Sequence, residues 1–292
     1  MTIAILGSPY PEHFSKYIQH LIKKLESEHI KLIIEEEFNT FLQNNIRFNK
    51  KASTFNSYES LKDSADFLFS IGGDGTLLKA VTYVRESEIP ILGINTGRLG
   101  FISSISADQI DDSINDLLKG NYTLNDRTLL ELSTSNQLFK EANFALNEVA
   151  VSKKDTSSMI RIDAFVDEEY LNTYWADGLV VSTPTGSTGY SLSCGGPIIM
   201  PGTNNIIITP NAPHNLNVRP IVIDDNSVVK LKVKDRDQLA LVSLDSRSRA
   251  FDSGTELTIK KANFKIKLVQ PQNNSFTSTI RHKLMWGLDK RS

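Results

Sequence analysis

The residues with the clearest chemical potential are Ser70-Ile71-Gly72-Gly73-Asp74-Gly75-Thr76-Leu77-Leu78, where three glycines surround one aspartate between an apolar run and a helix-like pattern. Glycines in that place let the backbone take positive φ and approach a ligand, and the following helix offers unpaired N–H groups and the positive end of its dipole. That is a cradle for phosphate. An acid in its middle is misplaced for merely holding phosphate, because two like charges about 4 Å apart repel by several kcal/mol at an effective dielectric near 20. Two tasks suit it: accepting a proton from an attacking hydroxyl, or placing a divalent cation that bridges phosphates. Both belong to phosphoryl transfer. A tight turn whose aspartate only caps a helix beginning at Thr76 remains the alternative. The chain contains no Gly-Lys pair, so this is not a Walker A loop, and it carries no GxGxxG fingerprint here.

A second glycine-spaced turn, Gly93-Ile94-Asn95-Thr96-Gly97-Arg98-Leu99-Gly100-Phe101, follows the next apolar run. Asn95 is its candidate ligand contact; a plain strand end is the other reading. The densest stretch runs from Asp177 to Pro197, where Thr183, Thr185, Ser187, Thr188, Ser191 and Ser193 crowd among glycines without a basic side chain. Hydroxyls and backbone amides in that density can wrap sugar hydroxyls and an adenine edge. No GxSxG elbow supports serine hydrolase chemistry. Asn147 and Glu148, inside the strand-like FALNEVAVS, would point to opposite faces of a strand unless a bulge redirects them. His13, His20, His29, His214 and His282 show no metal-ligand spacing.

These segments need elements to hold them. Ile3 to Leu6 reads as a buried strand, and Phe14, Ile18, Leu21, Ile22 and Leu25 follow at helical spacing. The strand-then-helix rhythm returns at Leu32 to Ile34, at Phe67 to Ile71 and at Ile89 to Ile94. Such alternation predicts a mostly parallel sheet covered on both faces, whose ligands gather at the carboxyl ends of the strands. After Gly120 short alternating runs such as MIRIDAFVD, VVKLKVK and LALVSLD take over, and the second half reads as all-β. The expected organisation is an α/β domain over residues 1–122, a β-rich, sandwich-like domain over 123–271, and a tail over 272–292. That tail, with Leu284, Met285, Trp286 and Leu288, should pack back on the first domain as a short helix.

At 292 residues two domains are the natural reading. Lys and Arg number 32 against 34 Asp and Glu, a formal charge of −2 without the basic excess of nucleic-acid binders. Neither DNA nor RNA is expected as a partner. The single cysteine, Cys194, excludes an intrachain disulfide and a thiolate zinc cluster, which fits a reducing compartment and makes cytoplasm the expected location. No signal peptide is legible, no run of about 18 apolar residues occurs, and a soluble protein without membrane partners is expected.

Taken in order, Gly72-Gly73-Asp74-Gly75-Thr76, Asn95-Thr96-Gly97 with Leu99-Gly100-Phe101, Leu146-Asn147-Glu148, and Asp177 through Pro197 resemble the signature blocks of the NAD kinase family. Asn211-Ala212-Pro213-His214 and the Leu244-Asp245-Ser246 turn extend the resemblance over nearly the whole chain. The Gly-Gly-Asp-Gly loop alone is shared with lipid kinases and phosphofructokinases; the long hydroxyl-rich block is not. The resemblance implies transfer of the γ-phosphoryl of ATP, with polyphosphate as a possible donor in some members, to the 2′-hydroxyl of the adenosine ribose of NAD. It implies a divalent cation, Mg²⁺, bridging phosphates near Asp74, and assembly as a homodimer or homotetramer. Carried over, Asp74 would be the general base, with Gly72, Gly73 and Gly75 in the same loop. Lys79 would lie one turn beyond it, near the ligand. Asn147 and Glu148 would bind NAD, and Asp177, Thr188, Gly189, Tyr190, Ser191, Leu192 and Ser193 would line the nucleotide site. Ala212 would contribute its backbone and Arg247 a charge for a phosphate group. Ser158 and Trp175 depart from the polar or basic residues that other members carry there. A ring-stacking role and a core or interface role are both open for Trp175.

Overall fold

The structure is a computed structural model that describes residues 1–97, 100–103, 105–154, 159–234, 239–271 and 275–287. Expectations attached to Leu99, Ser158 and Leu288 lie outside the described residues. The chain divides into two compact units, one of residues 1–126 with 266–292 and one of residues 127–265. The first boundary falls at Asp126, and the return to unit 1 comes at Ile266, ahead of the expected tail at 272.

Unit 1 is built on parallel strands β1 (Thr2–Gly7), β2 (Lys31–Glu35), β3 (Ser53–Phe55), β4 (Phe67–Ile71) and β5 (Ile91–Ile94), in the spatial order β3-β2-β1-β4-β5. Helices α1 (Ser15–Ser27), α2 (Glu36–Asn45), α3 (Tyr58–Leu61), α4 (Asp74–Val84) and α5 (Ile110–Lys119) alternate with them. β1, β4 and β5 are apolar and almost wholly buried, the pattern of strands covered on both faces. α1 buries Ile18, Leu21, Ile22 and Leu25 at the predicted 3.6-residue spacing, and α5 buries Ile110, Ile114 and Leu117 before stopping at Gly120, a left-handed cap. The register pairs Gly7 with Ile71 and Ile71 with Ile94, so the residues after β1, β4 and β5 leave the sheet side by side at its carboxyl edge.

Unit 2 is all-β. Its strands are the later part of β6 (Tyr122–Ser133), β7 (Phe144–Ala145), β8 (Glu148–Lys153), β9 (Ile160–Val166), β10 (Glu169–Ala176), β11 (Gly178–Ser182), β12 (Asn205–Asn211), β13 (Ile221–Asp224), β14 (Val229–Lys234), β15 (Leu239–Leu244), β16 (Arg247–Asp252) and the first part of β17 (Glu256–Pro271), with a short α-helix, α6 (Tyr190–Ser193), following β11. One antiparallel sheet has the order β13-β12-β11-β8-β15-β16; in the other, β9 lies between β10 and β14, and β14 pairs with β17. Val149, Val151, Leu179, Val181 and Val242 of the first share one core with Ile160, Ile162, Val229, Leu231 and Leu257 of the second, which makes the unit a sandwich. The last part of β17 pairs with β5 in parallel through Leu268 and Ile91, and helix α7 (Phe276–Leu284) follows in unit 1.

Candidate active site

In unit 1 the glycine loop leaves β4 and becomes α4 within two residues. Gly72 has φ of +152°, and a Cβ there would meet Thr76 Oγ1 at 2.2 Å, so conformation and space both require glycine. Asp74 is the first residue of α4, and its carboxylate does not cap that helix. Every hydrogen bond it shows among the described residues comes from the second loop. Phe101 N–H donates to Oδ2 at 2.8 Å; Ile102 N–H, Ser103 N–H and Ser103 Oγ donate to Oδ1 at 3.2, 3.0 and 2.8 Å. A carboxylate oxygen has about two lone-pair sites. Among the described residues, Oδ1 is therefore saturated, while Oδ2 has one donor and one open site. Gly73 and Gly75 are exposed with open space over their Cα atoms, as a backbone cradle needs.

Asn95 has another occupation than the ligand contact expected of it. Its side chain is buried, its Oδ1 accepts Gly97 N–H at 2.7 Å, and its Nδ2 donates to Ser103 Oγ at 3.2 Å. Lys79 pairs with Glu35 at 3.2 Å and with Glu37 at 3.3 Å. Glu35 is a buried carboxylate at the start of α2, where it also accepts Phe38 N–H and the Tyr83 hydroxyl. Ser8, on the loop after β1, shares a 2.7 Å hydrogen bond with Thr76, a loop neighbour that sequence reasoning passed over.

In unit 2 the strand register builds the second set of groups. Ser182 pairs with Glu148, and Leu244 pairs with Val149, so the hydroxyl-rich block after β11 and the turn after β15 both reach the start of β8. FALNEVAVS is not one strand. It breaks at Leu146 and Asn147, and the break overrides the expected opposite facing of Asn147 and Glu148: Glu148 Oε2 and Asn147 Nδ2 lie 2.9 and 3.5 Å from where a Gly189 Cβ would stand. Asp245, in a left-handed turn with φ of 53°, holds the break. Its carboxylate accepts the N–H groups of Leu146, Asn147 and Glu148 at 2.9, 2.8 and 3.2 Å, while Thr183 Oγ donates to the Leu146 carbonyl. Asp245 was legible only as part of a turn, because its acceptors are bound across nearly a hundred residues of chain.

Two acceptors in this corner have no hydrogen-bond partner among the described residues: Asn147 Oδ1 and Glu148 Oε2, on residues only 9% and 8% exposed. Unpaired buried acceptors are costly, and ones retained at a concave corner await a donor such as a sugar hydroxyl or an amine. Burial, with the neighbouring Asp245 carboxylate, pushes Glu148 up to about 7, against the Tyr190 amide that faces it. Burial likewise raises Asp245, opposed by its three amide donors and by Arg247.

The remaining expected residues divide in two. Tyr190 is exposed, its hydroxyl accepting Asn211 Nδ2 at 2.8 Å, and Ser193 is exposed beside it on α6; Leu192 is half-buried. Ala212 takes a left-handed φ of 46° directly after β12, which presents its backbone. Asp177 pairs with Lys153 at 2.7 Å. Ser191 is buried against Thr209, Thr188 bonds the Thr185 carbonyl, and Arg247 donates to the carbonyls of Ala142 and Phe144 and lies over the Phe144 ring. Those three stabilise the fold around the block. Trp175 stands on β10, 46% exposed and outside the core.

Among the described residues no three His, Cys, Asp or Glu side chains gather as a metal cage. A resident, protein-held cation does not suit this donor set, because Asp74 offers one free lone pair and the loops around it offer amides.

The family described as ATP-NAD kinase N-terminal domain matches residues 3–122, and the ATP-NAD kinase C-terminal domain matches residues 146–271. The chain is 47% identical to the NAD kinase of Christiangramia forsetii and 43% identical to that of Bacteroides fragilis, in each case over the full length of both chains. Among solved structures it resembles yeast NADH kinase complexed with NADH, with a TM-score of 0.87 at 23% identity, covering 98% of this chain and 88% of that one. An NAD kinase from Archaeoglobus fulgidus in complex with ATP matches with a TM-score of 0.73 at 27% identity, covering 98% and 99%.

Proposed function

From the premise that the chain belongs to the ATP-NAD kinase family, we propose that Asp74 Oδ2 is the base of its reaction. That reaction is transfer of the γ-phosphoryl of ATP to the 2′-hydroxyl of the adenosine ribose of NAD, giving NADP and ADP. The observation that carries the assignment is the unequal loading of the two Asp74 oxygens: among the described residues Oδ1 has three donors and Oδ2 one.

The step balances around that atom. The 2′-hydroxyl proton passes to Asp74 Oδ2 as the ribose oxygen bonds the γ-phosphorus, and the bond to the bridging oxygen breaks with its electron pair leaving on ADP. The exposed amides of Gly73 and Gly75 at the start of α4 suit the transferred phosphoryl group, where backbone N–H groups and the helix dipole favour anions. Asn147 Oδ1 and Glu148 Oε2, the buried acceptors without partners, take donors from NAD, and Tyr190, Ser193 and the Ala212 backbone line the same region of unit 2.

Mg²⁺ enters as part of the nucleotide substrate, held by phosphate oxygens, which suits the lack of a carboxylate, histidine or cysteine cage among the described residues. Use of polyphosphate as donor and assembly as a homodimer or homotetramer are proposed on the family alone. Cytoplasmic residence is supported by the single free Cys194; no described helix is long and apolar enough to cross a membrane.

The test is a coupled assay of NADP formation with Mg²⁺, ATP and NAD. Asp74→Asn should lose about 100-fold or more in kcat, the range for a positioned base, while calorimetry still shows NAD binding. An undiminished rate in that variant removes the base assignment.

A further inference from the structure

Asp74 is held by a chain of hydrogen bonds whose direction can be worked out from donor chemistry. Gly97 N–H can only donate, so the atom of Asn95 facing it at 2.7 Å is the carbonyl Oδ1. The amide Nδ2 is then committed to the other side, where it donates to Ser103 Oγ at 3.2 Å. A hydroxyl that accepts from an amide keeps its own proton for another acceptor, and the acceptor present is Asp74 Oδ1 at 2.8 Å. Ser103 and Asn95 are 0% and 2% exposed, so water does not compete for these groups. Ser103 thus donates twice to one oxygen, through N–H and through Oγ, and with Ile102 N–H it fills that oxygen.

We propose that Ser103 is a positioning residue for the phosphoryl transfer: oriented by Asn95, its hydroxyl makes the shortest of the three contacts to Asp74 Oδ1 and so fixes the carboxylate with Oδ2 set to take the proton. This rests on Asp74 being the base. Without the hydroxyl, Oδ1 keeps only the two longer amide contacts, at 3.0 and 3.2 Å, and the carboxylate, having lost its shortest donor on that side, can rotate away from the proton-accepting geometry. Substrate binding is untouched, because Ser103 is buried and offers no surface to either nucleotide.

The experiment uses the full-length enzyme in four forms: native, Ser103→Ala, Asp74→Asn and the double variant. Ser103→Ala is expected to lower kcat about tenfold, below the roughly 100-fold or more lost with a donor that touches the reacting atoms, with KM for NAD and for ATP within about twofold of native. In the Asp74→Asn background the same change should alter the residual kcat by less than about twofold, because Ser103 acts through that carboxylate. A merely structural serine would lower the rate equally in both backgrounds. Equal loss in both backgrounds, a loss confined to KM, or full kcat in Ser103→Ala would overturn the proposal. Full kcat in Asp74→Asn instead overturns the base reading beneath it. If Ser103→Ala does not fold, as thermal melting will show, Ser103→Cys reads the same ratios, since its thiol fills the place but is a weak donor.

Discussion

Gly100 lies so close to Asp74 that a Cβ on it would stand 1.8 Å from Oδ1 and 2.5 Å from Cγ. The Phe101, Ile102 and Ser103 amides reach the carboxylate only because the chain before them has no side chain in the way.

Gly100→Ala should therefore displace either the loop or the carboxylate by an ångström or more. Misplacement on that scale costs about 100-fold in turnover, so kcat for NADP formation should fall by about that factor with the far-UV circular dichroism unchanged. An alanine variant of native kcat would show that the loop does not hold Asp74 during turnover.

Asp245 tests the other unit. Asp245→Asn keeps the shape but turns an NH₂ group toward backbone amides that now donate to it, leaving at least one buried donor unpaired. The expected cost is about 1 to 3 kcal/mol in urea unfolding, and KM for NAD should rise more than kcat falls, because the displaced corner carries Asn147 and Glu148.

Glu148 predicts a pH dependence of stability. Its folded value, about 7, stands above its ordinary 4.5, so between those pH values the folded state holds a proton that the unfolded state has released. Stability contributed by this group is complete at low pH and falls as pH rises through that window. Glu148→Gln lacks the titration, so its melting temperature relative to native should increase from about pH 5 to about pH 8. Parallel pH curves for the two proteins would sink the assignment.

Lys79 pairs with a carboxylate that is nearly out of water, and removing it leaves Glu35, among the described residues, with Phe38 N–H and the Tyr83 hydroxyl as donors. Since Lys79 itself is part-exposed, Lys79→Met should cost about 1 to 3 kcal/mol, less than for a fully buried pair, and adding Glu35→Gln should restore much of it. A variant with native melting temperature but raised KM would instead assign Lys79 to the ligand.

Much of this was readable along the chain. Strands such as Phe67–Ile71 and the helix carrying Ile18, Leu21, Ile22 and Leu25 declare themselves because burial on a fixed period leaves a fixed spacing of apolar residues. The change to short alternating strands after Gly120 separated the α/β part from the sandwich for the same reason. Asp74 was legible because an acid among glycines placed to cradle phosphate is an electrostatic contradiction that calls for a task of its own.

The partners of those residues were not. Asn95 looked like a ligand contact because a polar residue at a strand end usually faces outward, yet the loop folds back and uses both ends of its amide. Asn147 and Glu148 converge because the strand breaks, and Asp245 holds the break from 98 residues away. Local sequence thus determined the elements and the chemically active types, since periodicity and charge are properties of neighbours along the chain. Which oxygen of Asp74 stays free, and which acceptors stay unpaired, was decided only by tertiary structure, because hydrogen-bond partners are set by distance in space.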